Sequence, residues 1–173
     1  MAGFPGIVGD NGTMRIYLPA TSADLSRPAG VPPRWGHAVT DELRRALPEE
    51  DDEGLEASAL LAAADESIAH LRAAASALPR RVVLAADVPD VGVVVPERAR
   101  PWREGDDQLP SAVEVRATVP WDAVVSIHVD DADAEPDVTA ALAEDDAVDR
   151  AAEHDLLWHD IVEREALARE LKG

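Results

Sequence analysis

The sequence predicts an α+β fold: a single domain with a mixed sheet of four or five strands, helices packed mainly on one face, and C-terminal helices. Three observations predict it. Residues 53–78 carry an apolar stripe at helical spacing. The run Val82-Val-Leu-Ala-Ala86 is apolar on both faces, as in a central strand covered on two sides. Segments 113–119 and 125–130 alternate apolar with polar residues, as half-exposed strands do. Strands and helices do not alternate one for one, which argues against a doubly wound fold.

Residues 1–13 hold four Gly and one Pro without a period, which reads as a disordered leader to a domain spanning 14–173. Met14–Pro19 begins a strand. Thr21-Ser-Ala-Asp24 then has capping-box form and opens a helix that Pro28, Gly30, Pro32 and Pro33 keep short. A brief strand at 35–39 leads to Thr40, a good N-cap. Asp41 and Glu42 follow at the positive end of the helix dipole, with Arg44 and Arg45 near the negative end.

In the long helix, Leu61, Ala64, Ile68, Leu71, Ala75 and Leu78 form the stripe, and Arg72 falls on the opposite side, where its removal should cost little. Pro79 ends it. Val91–Val95 lies between Pro89 and Pro96 and can only be an edge strand. Residues 96–110 read as a mobile polar loop. In 125–130, Val125, Ile127 and Val129 share one face, and Ser126, His128 and Asp130 the other. The remainder reads as helices at 135–148 and 150–171, with Trp158 anchoring the last one. A long helix between the first strand and 82–86 implies a crossover that makes those two strands parallel. The short link between 113–119 and 125–130 implies an antiparallel pair.

Charge excludes several functions. There are 35 acidic residues against 16 basic ones, a net charge of −19, and residues 121–173 alone hold 16 acidic and 4 basic side chains. Such a surface repels phosphate backbones and anionic lipid, so no nucleic-acid partner and no membrane partner is expected. No stretch approaches the roughly 20 apolar residues of a membrane span. The first residues have no basic and long apolar regions of a secretory signal, and there is no Cys to form a disulfide or a thiolate site. These features fit a cytoplasmic protein.

Chemistry is harder to locate. The chain has no GxGxxG, no phosphate-binding GxxxxGK[ST], no HExxH and no GxSxG. Asp131-Ala-Asp-Ala-Glu-Pro-Asp137 opens like a calcium loop, but Pro136 stands where the turn needs Gly and Leu142 where it needs Glu. What remains is a set of strand-end groups. If the main strands ran parallel, Thr21, Asp87 and His128 would line a ligand site, and Asp130 and Asp131 would offer carboxylates to a divalent metal. The plainer reading is that Asp and Thr end strands because they make turns and caps. No cofactor is implied.

The segments Met14-Arg-Ile-Tyr-Leu-Pro-Ala-Thr21, His37-Ala-Val-Thr40, Arg81-Val-Val-Leu-Ala-Ala-Asp-Val-Pro89, Ile127-His-Val-Asp-Asp131 and His154-Asp-Leu-Leu-Trp158 together resemble an actinobacterial family of uncharacterised proteins over residues 14–160. The resemblance implies a small bacterial cytoplasmic protein and carries no activity or catalytic residue. Two functions follow from the residues. One is a small acidic protein-interaction or accessory domain without catalysis, binding a partner protein or itself. The alternative is a small enzyme or ligand-binding protein using the strand-end carboxylates, with or without a divalent metal.

Overall fold

The computed structural model describes residues 8–9, 12–74 and 77–173. Strands β1 (Val8–Gly9), β2 (Thr13–Ala20) and β3 (Arg34–His37) come first, with α1 (Ser22–Leu25) between the last two. Helices α2 (Asp41–Ala46) and α3 (Asp52–Ala73) follow, then β4 (Val82–Pro89), β5 (Val93–Val94), β6 (Ala112–Val115) and β7 (Val124–Asp130). Helices α4 (Glu135–Ala143) and α5 (Val148–Ala152), strand β8 (Leu156–Asp160) and α6 (Arg164–Glu170) complete the chain. Of the expected leader, β1 pairs with β2, and residues 1–7, 10 and 11 lie outside the described residues.

One sheet runs in the order β5-β6-β3-β2-β4-β7-β8, with β1 on β2 as an eighth strand. It exceeds the four or five strands expected, and every pairing is antiparallel. The expected parallel crossover between β2 and β4 is therefore corrected: the two are antiparallel neighbours over eight pairs, from Thr13↔Pro89 to Ala20↔Val82. The intervening excursion inserts β3 on the other side of β2, so α3 returns the chain to the end it left. The expected β6–β7 pair is also absent, because β3, β2 and β4 stand between those strands.

Both faces of the central strands are buried. Ile16, Leu18, Leu84 and Ala86 pack with Leu25 of α1 and Leu167 of α6 on one face. Tyr17, Val83 and Ala85 pack against Leu43 of α2 and Leu55, Ala59 and Ala63 of α3 on the other. That is why β4 is a continuous apolar run. Helices α4 and α5 add a satellite core around Ile68 and Leu71.

The buried side of α3 is not quite the expected stripe. Leu61 is 46% exposed, and Ser67 is fully buried. The Ser67 hydroxyl donates to the Ala20 carbonyl at 2.8 Å and accepts from the Val82 amide at 3.1 Å. It thereby closes the end of the β2–β4 ladder, where an apolar side chain would leave two backbone groups unpaired. The helix stops at Ala73, and Leu78 instead donates its amide to the Leu171 carbonyl; Ala75 lies outside the described residues. A register shift at Ala85/Ala86 bulges Val125 outward, so it leaves the apolar face expected of it.

The expected helix at 150–171 is corrected too. It is interrupted by β8, whose Trp158 is 62% exposed and anchors no helix. Residues 96–110, expected to be mobile, carry internal ties. Arg100 pairs with Asp106, Arg98 donates to the Leu109 carbonyl, and the Trp102 amide donates to Glu42 of α2.

Two substitutions on α3 test this packing. Ile68 is 1% exposed, and Ile68→Asp buries an unpaired carboxylate at a cost of several kcal/mol, on the order of the domain's whole stability. Arg72 donates to the Ala141 carbonyl at 2.6 Å and the Leu142 carbonyl at 3.2 Å, closing the C-terminal end of α4. Arg72→Ala should therefore cost about 1 kcal/mol rather than nothing. Urea unfolding of both variants checks the order; a cooperative, fully stable Ile68→Asp protein would place the wrong face inside.

Candidate functional site

Antiparallel pairing decides where the expected site residues go. Asp87 sits at the far end of β4 opposite Arg15, while Thr21 and Asp130 lie at the end where β4 begins. Convergence of Asp87 with Thr21, Asp130 and Asp131 is therefore corrected: it required parallel strands. Each group has a local partner instead. Arg15 clasps Asp87 with Nε at 2.6 Å and Nη2 at 3.0 Å. Thr21 starts α1, and its amide donates to Asp24 at 3.0 Å, while Arg34 holds both oxygens of Asp24 at 3.0 and 2.7 Å. Asp131 accepts from the Ala132 amide in the turn before α4 and is exposed.

Asp130 is enclosed completely. Its Oδ2 accepts from the Arg81 amide at 2.7 Å and from Arg81 Nε at 2.8 Å, and its Oδ1 accepts from Arg81 Nη2 at 2.8 Å. Both side chains are 0% exposed. Arg81 Nη2 also donates to the His154 carbonyl at 3.0 Å, which fixes the turn into β8. Neither Asp130 oxygen is open to a metal ion, and among the described residues no group of three or more His, Asp or Glu is placed to hold one.

His128 lies across from Val83 on one side and Trp158 on the other. Its Nε2 is 3.0 Å from the Ser126 hydroxyl. Of the two residues expected on its face, Ser126 is thus its partner, whereas Asp130 is committed to Arg81. Burial lowers the pKa of His128, and His159 and Arg15 lower it further. The residue lies beside β8, the strand at the edge of the sheet.

That strand has no fully buried residue. Among the described residues nothing pairs with the outer edge of β8. Leu157, Trp158 and nearby Val162 are exposed around it. The opposite sheet edge is blunter: β5 has two residues, and Pro96 follows closely.

A second feature escaped sequence reasoning. His37 on β3 bridges Ser111, whose hydroxyl is 2.8 Å from Nδ1, and Glu66 of α3, whose Oε2 is 2.5 Å from Nε2. His37 and Ser111 are buried, while Glu66 reaches a cleft between α3 and the β3–β6 face. These residues are separated by 29 and 74 positions, so no local spacing marks them.

The sequence model of the DUF6912 family, described as a family of unknown function, matches residues 14–168, and the chain belongs to that family. No curated protein and no solved structure matches it.

Two measurements test the electrostatics. Asp130→Asn leaves the Arg81 guanidinium buried without its counter-charge, and stability to urea should fall by about 3–5 kcal/mol. An unchanged midpoint would mean that the pair is open to solvent. For His128, the unfolded imidazole takes up a proton near its ordinary value of 6.5, the folded one only at lower pH. Its contribution is present above that value and is lost as pH falls through the depressed folded value. His70 is lowered by burial in the same sense. The melting temperature should drop between about pH 7.5 and about pH 5.5, and drop less in His128→Gln. Equal slopes in the two proteins would remove His128 from the account.

Proposed function

We propose that this chain is a non-catalytic, cytoplasmic protein-interaction domain, folded as one unit over residues 14–173, that takes up an extended basic segment of a partner protein as a further strand on β8. The observation that supports it is the open five-residue edge with Leu157 and Trp158 exposed. Natural sheets cover, shorten or charge such edges, because unpaired N–H and C=O groups recruit another strand. Here β5 is cut to two residues, whereas β8 presents five and is acidic only at Asp160. Added-strand recognition draws affinity from main-chain hydrogen bonds and specificity from alternate side chains. Trp158 and Leu157 point to apolar residues in the incoming segment, which would gain burial against them.

Charge selects the partner. Residues 121–173 hold 16 acidic and 4 basic side chains, so a basic segment is steered in and an acidic one repelled. The same repulsion argues against a second copy, which would bring Asp155, Asp160 and Glu163 against their equivalents. The alternative reading, an enzyme or metal-dependent binder built on strand-end carboxylates, lacks the convergence it requires. No helix of the described residues is long and apolar enough to cross a membrane.

An alternating Lys/Val peptide of about ten residues, long enough to cover the strand, is a direct probe. Amide exchange should slow at 156–160 when it is added, and affinity should fall as salt rises. Trp158→Lys and Leu157→Lys, both at exposed positions, should weaken binding about tenfold or more, and an alternating Glu/Val peptide should not bind. Protection that appears elsewhere, or binding that survives both lysines, would overturn the proposal.

A further inference from the structure

The two faces of β8 offer an incoming strand different chemistry. Trp158 and Asp160 are two residues apart and share one face, while Leu157 and His159 share the other. On the Leu157 face the nearby acid is engaged, because Glu163 lies 3.4 Å from His159 Nδ1. Val129 and Ile127, across from Leu157 and His159, belong to the apolar core on that side. Val162 adds exposed apolar area close by.

On the Trp158 face the acid is open. Asp160 is exposed and accepts from the Val162 amide through Oδ1, and its Oδ2 has no partner among the described residues. Arg15, whose charge is felt by His128 opposite Trp158, is clasped by Asp87. Trp158 itself is 62% exposed. Elsewhere the chain shows how it covers an indole. The Arg164 guanidinium lies over the Trp121 ring, 4.4 Å from its centroid, and also donates to the Leu25 carbonyl at 2.7 Å. Among the described residues no Arg is placed over Trp158 in this way.

We infer that the Trp158–Asp160 face of β8 selects arginine in the partner strand, while the Leu157 face takes an aliphatic residue. The inference rests on the β8 reading and assigns the basic and the apolar demands of that edge to its two faces. Residues two apart on a strand are separated by roughly 7 Å, a span that an arginine opposite Trp158 can bridge. Its methylenes and guanidinium lie on the indole, and its N–H fork reaches Asp160. Lysine presents a compact, strongly hydrated ammonium without a planar face, so it keeps the charge attraction and loses the stacking and the fork.

Three alternating peptides of about ten residues, Arg/Val, Lys/Val and citrulline/Val, separate these contributions at fixed ionic strength. Affinity, amide exchange at 156–160 and side-chain proton shifts are followed for each. The Arg/Val peptide should bind about threefold to tenfold tighter than Lys/Val, with citrulline/Val weakest. Its arginine side-chain protons, rather than its valine methyls, should move upfield in the ring current of Trp158. The comparison of the three peptides on the unaltered protein depends on no variant. Trp158→Leu, which keeps an apolar side chain, should abolish the preference for arginine over lysine. Asp160→Asn, whose amide oxygen can still accept from the Val162 amide, should weaken Arg/Val binding about threefold or more. Glu97→Gln, exposed beyond β5 at the opposite edge of the sheet, makes the same change in net charge and should alter nothing. Both β8 variants alter exposed positions, and their amide spectra report whether the fold is kept. Equal affinity for the Arg and Lys peptides, a preference that survives Trp158→Leu, or equal binding by Asp160→Asn and Glu97→Gln would overturn the inference. So would upfield-shifted valines. In each of those cases protection at 156–160 leaves the β8 reading standing, whereas a lack of protection by every peptide would overturn both.

Discussion

The buried Arg81–Asp130 pair is the constraint on which the far half of the sheet depends. Arg81 precedes β4 and Asp130 ends β7, and the two exchange backbone as well as side-chain hydrogen bonds. The same guanidinium holds the His154 carbonyl, which sets the turn into β8. Taking two charges out of water is expensive, and a close ion pair repays it only when the remaining polar atoms are satisfied. Both Asp130 oxygens are satisfied, although Arg81 Nη1 has no partner among the described residues. What the pair supplies is register. A sheet core of Ala and Val, with few large anchors, discriminates weakly between alignments one step apart, yet a slip of one residue would turn each face inside out. The pair permits one alignment, Val82 against Val129.

Ser67 does the corresponding work between β2 and β4, and it shows why topology was hard to read from the sequence. The double-faced apolar run of β4 and the capping signals of α1 and α2 were legible, because each is set by neighbouring residues. Strand direction is not local. A long helix between two strands suggests a parallel crossover, but here β3 is inserted within the same excursion, and α3 returns to the starting end. The serine that ties α3 to both strands looks from sequence like a polar interruption of an apolar stripe. β8 was missed for a related reason: Leu156-Leu-Trp-His-Asp160 sits among helix-forming residues, and only pairing with β7 makes it extended.

The candidate sites divide along the same line. His128 with Ser126 was legible, since residues two apart on a strand share a face. The grouping of Asp87 with Asp130 was not, because it inherited the wrong strand direction. The His37–Glu66–Ser111 chain had no sequence signal at all: it joins β3, α3 and the segment before β6, and depends on the whole sheet being assembled.

The charge now acquires a structural meaning. Twelve arginines among the described residues are already ion-paired within the chain, from the bidentate Arg15–Asp87 to the buried Arg81–Asp130. Those pairs fix strand ends and helix termini, and they consume most of the positive charge at short range. The acids outnumber the bases by 35 to 16, so the field beyond the surface is negative. Repulsion among them opposes compaction, and a bound cation or a basic segment would relieve it in the folded state more than in the expanded one. The carboxylates near β8 are part of this surplus. There the acids lie beside exposed indole, a surface that rewards a positively charged group carrying apolar area and discriminates against a simple counterion.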